Sequence, residues 1–267
     1  MTSASSSRPL AAVTGASSGI GAVYAERLAE RGYDLLLIAR RADRLDALGK
    51  RLGLTHGISV EPLVADLTRP ADLHGAESRL ARSDRLELLV NNAGSARLVS
   101  LADTTPDEAE AMIALNVTAL TRLTQAVLPG MRARGRGQVV NIASVLALHA
   151  LPVSAVYSGT KAYVLNFSRG LQQELEGSGV SVQVVLPAAT DTEIWDLAGL
   201  PASNLPAGTV MPTGDLVHGA LAGLDRGEAV TLPSLPDAAL WEAYDAARAA
   251  AFAATQTREL AARYRDA

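Results

Sequence analysis

Tyr157 and Lys161 stand four residues apart in the segment YSGTK, and Lys161 is one of only two lysines in the chain, the other being Lys50. Lysine and arginine together number 24, so 22 basic residues are arginine. A chain that uses lysine so rarely keeps one here. On a helix, residues four apart share a face. A free phenol titrates near ~10 and exchanges protons poorly at neutral pH. An adjacent ammonium stabilises the phenolate and lowers that value, so the two side chains form a candidate general acid/base pair. Taken alone, the same spacing is plain helix surface in most proteins. Ser144 adds to it. It ends the segment NIAS, thirteen residues before Tyr157, where a strand is predicted to stop. Strand C-termini in open α/β sheets are where ligands bind, and a serine hydroxyl there can hold a substrate oxygen while the tyrosine exchanges the proton.

A second constellation lies near the N-terminus. TGASSGIG places Gly15, Gly19 and Gly21 directly after the first predicted strand and at the start of a helix. Glycine allows the backbone approaches that a Cβ blocks, and free N–H groups at a helix start favour a phosphate. Tight turns also use glycine, and the spacing is not G-x-G-x-x-G. The second strand ends IARR, with Arg40 and Arg41 where an acidic residue would select NAD. Guanidinium matches phosphate geometry. Two arginines can also simply begin a solvated helix. The reading adopted is NADP(H), with Arg40 the phosphate contact.

These residues need elements to position them. Short Val/Ile/Leu-rich runs (PLAAVTG, YDLLLIAR, ISVEPLVAD, LELLVNNAG, GQVVNIAS, VSVQVVLPA) alternate with helical patterns. Such runs read as strands buried on both faces. Repeated strand–helix alternation implies an α/β fold, a Rossmann-like doubly wound parallel sheet with helices on both faces. Gly32, Gly53 and Gly177 are placed to end helices. One long helix is expected from about Pro106 to Arg132. Residues 188–214 are irregular, as a substrate loop would be. A helix near 215–226, a short strand in AVTLP and a C-terminal helix over about 237–265 follow. No repeat or composition break divides the chain, so a single domain over 1–267 is expected.

Composition sets limits. The chain has 267 residues, 48% hydrophobic and 19% charged, with a net charge of −4. This suits a buried globular core and favours neither nucleic acid nor an anionic membrane. There are no cysteines, which removes disulfides and thiolate chemistry. His56, His74, His149 and His218 show no metal-ligand spacing, so no metal is expected. The N-terminus does not read as a signal peptide and no apolar run is expected to cross a bilayer. A cytoplasmic location is the expectation.

Together, TGASSGIG, Asp66 in VADL, NNAG at 91–94, Asn116, Ser144 and YSGTK resemble the short-chain dehydrogenase/reductase family in order and separation, over roughly residues 8–195. The resemblance implies a carbonyl reductase using NADP(H). It implies that Tyr157 is the general acid, that Lys161 binds the nicotinamide ribose and lowers the tyrosine pKa, that Ser144 polarises the carbonyl, and that Asn116 holds a water in a proton relay. Gly15, Ser17, Ser18, Gly19 and Ile20 would line the phosphate and adenosine site, Asp66 and Leu67 would approach the adenine, and Asn92, Ala93 and Gly94 would pack along the cofactor. The family commonly has Pro-Gly after the sixth strand; here it is Pro187-Ala188. Pro187, Thr190 and Thr192 are still placed to meet the nicotinamide end, though Thr192 can equally be a helix N-cap. The family often forms homodimers or homotetramers.

Pocket walls are expected from Leu98, Leu146, Leu148, Leu151, Val153, Ile194, Trp195 and Leu197, an apolar set that fits a hydrophobic ketone, aldehyde or secondary alcohol. Arg97 and His149 are the polar exceptions. Two other classes stand beside this one: a catalytically silent NADP(H)-binding regulatory protein, and a partner-binding protein working through its last helix.

Overall fold

The computed structural model describes residues 8–199 and 204–265, the side chains of Asp196 and Leu197 excepted. The chain divides into two compact units, Met1–Pro233 and Ser234–Ala267. The first holds one sheet of seven strands: β1 (Leu10–Thr14), β2 (Asp34–Ala39), β3 (Val60–Val64), β4 (Leu86–Asn91), β5 (Gly137–Ile142), β6 (Val180–Val185) and β7 (Val230–Thr231). Their order is β3-β2-β1-β4-β5-β6-β7, and every pairing is parallel. The direction of winding reverses between β1 and β4. At such a switch point the loops leaving neighbouring strands part to opposite faces and open a crevice.

Helices α1 (Gly19–Glu30), α2 (Ala42–His56), α3 (Pro70–Ala81), α4 (Pro106–Ile113), α5 (Leu120–Arg134), α6 (Ala155–Glu174), α7 (Ile194–Ala198) and α8 (Thr213–Asp225) complete this unit. Alternate strand residues face opposite layers. Ala11 and Val13 of β1 pack with Tyr24, Leu28, Leu45 and Leu221 from α1, α2 and α8. Ala12 points the other way, into Leu73, Leu80, Leu123, Val127 and Met131 from α3 and α5. That alternation within fully buried strands explains why β1 and β2 read as unbroken apolar runs.

Several expectations are corrected. β3 is an edge strand, and Glu61, Pro62 and Val64 are exposed rather than buried on both faces; a proline is tolerated at an edge. Gly53 lies inside α2, which runs to His56 and ends at Gly57 in the left-handed region, φ 61. The long helix is not uniform, because residues 114–119 form a π-helical segment between α4 and α5. The Pro106–Arg134 stretch does have the length and apolar composition of a membrane-crossing helix. Here its apolar positions Leu120, Leu123, Val127 and Met131 are buried in the protein core. The 188–214 loop contains α7, and its residues 200–203 lie outside the described residues. In the second unit, α9 (Ala238–Ala254) stops well short of 265; among the described residues only a short 3-10 turn, Ala262–Tyr264, follows.

Candidate active site

The crevice at the switch point is a cavity of about 330 Å³. Its lining brings together Gly15, Ser17, Ser18, Gly19, Ile20, Arg40, Asp66, Leu67, Asn92, Ala93, Gly94 and Thr192. Each comes from a strand end, the segment that follows it or, for Gly19 and Ile20, the first turn of α1. The glycine turn is stitched to the end of β4. Thr14 Oγ1 accepts from the backbone N–H groups of Asn92 and Ala93 at 3.0 and 2.9 Å, and Asn92 Nδ2 donates to the Thr14 carbonyl at 2.9 Å. Gly15 sits at φ 68, and a Cβ there would lie 2.8 Å from Asn92 Nδ2 and 2.9 Å from Ala93 Cα. Only glycine permits both the conformation and the contact.

No side chain caps α1 at Ser18, so its first-turn N–H groups remain for an anion in the cavity that Gly19 and Ile20 line. Two arginines stand across from them. Arg40 lies near Asp66, whose carboxyl is pushed up by partial burial but held below its ordinary range by two hydrogen bonds from Thr68 and by the charges of Arg40 and Arg69. Arg41 reaches the glycine turn itself, donating from Nε to Ser17 Oγ at 3.0 Å and from Nη2 to Ser18 Oγ. A helix start, a pair of hydroxyls and two guanidinium groups at one end of the cavity suit the phosphates of a dinucleotide.

Beyond the other end of the cavity the proton-exchanging groups meet. Lys161 is 6% exposed, donates to the Ile142 carbonyl at 2.9 Å and lies 5.7 Å from the centre of the Tyr157 ring. Burial lowers its pKa to about 8. Desolvation raises that of Tyr157, opposed by a hydrogen bond with the Ser144 side chain. The expected lowering of the tyrosine pKa by Lys161 is therefore not what these residues produce by themselves: burial dominates, and the ammonium is directed to a carbonyl. Asn116 is buried in the π-helical segment. It accepts from Ser95 N at 2.9 Å and donates to Ser95 O at 2.9 Å and Thr160 Oγ1 at 3.1 Å. Thr160 in turn donates to the Tyr157 carbonyl at 2.7 Å. Gly94 joins the two ends, since a Cβ on it would stand 3.2 Å from Asn116 Oδ1 and 3.6 Å from Lys161 Nζ.

The family profile for short chain dehydrogenase matches residues 9–199. The chain belongs to the short chain dehydrogenase family. A short-chain dehydrogenase from Sphingobium yanoikuyae, in complex with NADPH, is similar at 49% identity and a TM-score of 0.93, covering 96% of this chain and 100% of that one. A bulky-bulky ketone specific alcohol dehydrogenase from Comamonas testosteroni is similar at 39% identity and a TM-score of 0.89, covering 97% and 99%. Human 17-beta-hydroxysteroid dehydrogenase type 3 is 36% identical over 184 residues, which are 68% of this chain and 59% of that protein. The chain thus spans about 59% of the length of this curated relative.

Not every residue expected at the cofactor site of this short chain dehydrogenase lines the cavity. Tyr157 and Lys161 lie beyond it. Thr190 is buried, its hydroxyl donating to the Ala188 carbonyl at 3.0 Å, and Pro187 accepts from Val145 N at 2.9 Å. Thr192 is not a helix N-cap, since α7 begins after Glu193; its methyl instead lies against Gly19, 3.1 Å from where a Cβ there would stand. Ala39, Arg41, Ala65, Leu115 and Glu193 line the cavity without having been assigned to it from the sequence, and Ile194, expected in the substrate wall, lines it as well. Arg41 had a signal, its adjacency to Arg40, but nothing in the sequence says which of the two turns toward the serines.

Two of the segments expected to wall the substrate pocket meet through the backbone, where Leu98 N donates to Ala198 O at 3.0 Å. Trp195 is fixed by its indole N–H, which donates to the Thr190 carbonyl at 2.7 Å. Leu151 and Val153 are exposed, whereas Leu148 packs partly into the core. His149 is exposed. Arg97 pairs with Glu108 at 3.3 Å. The side chain of Leu197 lies outside the described residues.

Proposed function

We propose that this oxidoreductase reduces hydrophobic ketones bulky on both sides of the carbonyl, using NADPH. The observation that carries the reading is the meeting of Ser144, Tyr157 and Lys161 beside a cavity whose far end holds Arg40, Arg41 and the glycine turn. The cofactor's contribution when bound is a hydride for the carbonyl carbon.

The residues supply position and a proton. Ser144 and Tyr157 present hydroxyls to the carbonyl oxygen. Because burial raises the phenol's pKa, Tyr157 is protonated at neutral pH, the form that donates in reduction. Lys161, titrating at about 8, is poised near neutral pH to return the proton. Asn116 has both amide hydrogens committed, so it fixes the neighbourhood of Lys161 and keeps a lone pair for a water. Leu98, Ile194 and the anchored Trp195 favour apolar substituents. The bulky-bulky ketone specificity of the Comamonas testosteroni relative supports the bulky class, and the NADPH bound to the Sphingobium yanoikuyae relative supports the cofactor.

A panel of ketones graded in size on each side of the carbonyl, followed by NADPH absorbance and repeated with NADH, tests the reading. We expect kcat/KM to be higher for doubly bulky ketones than for methyl ketones, and higher with NADPH than with NADH. Equal or better kcat/KM with NADH removes the cofactor assignment. Tight NADPH binding with no ketone-dependent oxidation points instead to a silent nucleotide-binding protein.

A further inference from the structure

Glu193 stands between the cofactor end of the cavity and the substrate wall. It follows Thr192, which touches the glycine turn, and precedes Ile194 and Trp195. Its carboxylate is held by two arginines of another element. Oε2 accepts from Arg41 Nη1 at 2.8 Å and Oε1 from Arg44 Nη1 at 2.6 Å. Arg41 is the guanidinium that also bonds Ser17 and Ser18. The arginines come from the start of α2 and the glutamate from the loop after β6, so the ion pairs tie opposite lips of the cavity together.

This places an anion of the protein within the group of cationic and hydroxyl donors that suits a phosphate. We propose that Glu193 is a specificity-determining residue whose carboxylate competes with the cofactor's 2′-phosphate for Arg41, weakening NADPH while leaving NADH little affected. The inference rests on the NADPH reading above. A guanidinium has five N–H donors in a fixed fork. Nε and one Nη2–H are committed to Ser17 and Ser18 and one Nη1–H to Glu193, so every nitrogen of the fork already has a partner, and the carboxylate on Nη1 contends with a phosphate for the strong charge-assisted contact. Releasing Glu193 frees Nη1 and removes the competing negative charge. The hydrogen bonds from Arg41 and Arg44 hold the Glu193 pKa at about 2, so the competitor is charged throughout the neutral range. NADH presents a neutral hydroxyl at the same position and does not contend for the charge.

Glu193→Gln keeps the shape and removes the charge. Glu193 is half-exposed, and the variant is expected to fold. Isothermal titration calorimetry of NADPH and of NADH into the wild-type and variant proteins reads the effect without turnover. Exposed ion pairs are individually weak, so the NADPH Kd should fall about three- to tenfold while the NADH Kd stays within about twofold. Weaker NADPH binding in the variant means Glu193 is a supporting strap and overturns the proposal. Equal tightening of both cofactors means a gate indifferent to phosphate and overturns it too, as does no change in either. A wild-type protein that binds NADH as tightly as NADPH overturns the cofactor reading itself. A wild-type preference for NADPH that Glu193→Gln leaves unchanged overturns only the role of Glu193.

Discussion

At the scale of single residues, the two chemistry-bearing side chains are shifted by the same force in opposite directions. Burial disfavours the charged form of each, raising Tyr157 and lowering Lys161 to about 8. For the lysine this has a stability consequence. In an unfolded chain it titrates near ~10.4. Between the two values the unfolded state binds the extra proton, so this group makes stability rise with pH across that window, and its penalty is fully present below about 8. Lys161→Met removes the titration. Urea unfolding at about pH 7 and about pH 10 should show the wild type gaining on the variant by on the order of 2–3 kcal/mol; a constant difference means the lysine is not desolvated. Catalysis asks for different substitutions. Tyr157→Phe should lose ~10²–10⁴-fold in ketone reduction with NADPH binding retained, and near-normal turnover means another acid donates. Lys161→Arg should fold but lose about 10²-fold in kcat, because a planar guanidinium cannot stand where the compact ammonium does. Lys50→Arg, on the exposed side of α2, should be silent. Similar activity in the two arginine variants would falsify the assignment of Lys161.

At the scale of elements, the site depends on a local irregularity in a helix. The π-helical segment 114–119 carries Asn116 toward Ser95 and Thr160, and Thr160 ties that contact to the first turn of α6 through the Tyr157 carbonyl. Thr160 is therefore a positioning residue. Thr160→Val leaves one buried Asn116 N–H without its partner, a loss of about 1–3 kcal/mol by denaturant unfolding. It should also lower kcat more than KM and be rescued by Thr160→Ser; a stability loss with no kcat effect means Thr160 is only structural. The sequence made much of this layer legible. Runs such as DLLLIA and VSVQVV declared buried strands, and the glycine turn and the YSGTK helix fell where the strand ends require. The rest depends on contacts that no local pattern encodes. A π-helical segment has the same composition as the helix around it. β3 looked like its neighbours because edge position is a property of strand order. Whether Arg40 or Arg41 meets the serines is decided by side-chain direction in the two residues that join β2 to α2. Glu193 acquires its role only from arginines about 150 residues away.

At the scale of the whole first unit, the cavity takes residues from both halves of the sheet. The turns after β1, β2 and β3 supply one side, and the segments after β4 and β6 supply the other. A ligand spanning this switch point contacts surfaces that exist together only when the sheet is assembled. It binds the native state and not the unfolded chain, so it must stabilise the unit as a whole by mass action. At a hundredfold excess over Kd the gain is about 2.7 kcal/mol, which for a domain of this size raises Tm by roughly 5–10 °C. The cofactor reading makes the comparison specific. NADPH should raise Tm in scanning calorimetry by more than NADH at the same concentration, because only NADPH engages the arginines at the end of β2. Arg41→Ala should bring the NADPH shift down to the NADH value, and Arg40→Ala should reduce it by a smaller amount, since Arg41 alone reaches Ser17 and Ser18. Equal shifts from the two cofactors in the wild-type protein would mean that the arginines face solvent when ligand is bound and that the missing strand-end acid does not select NADP. A larger loss in Arg40→Ala than in Arg41→Ala would return the phosphate contact to the residue beside Asp66.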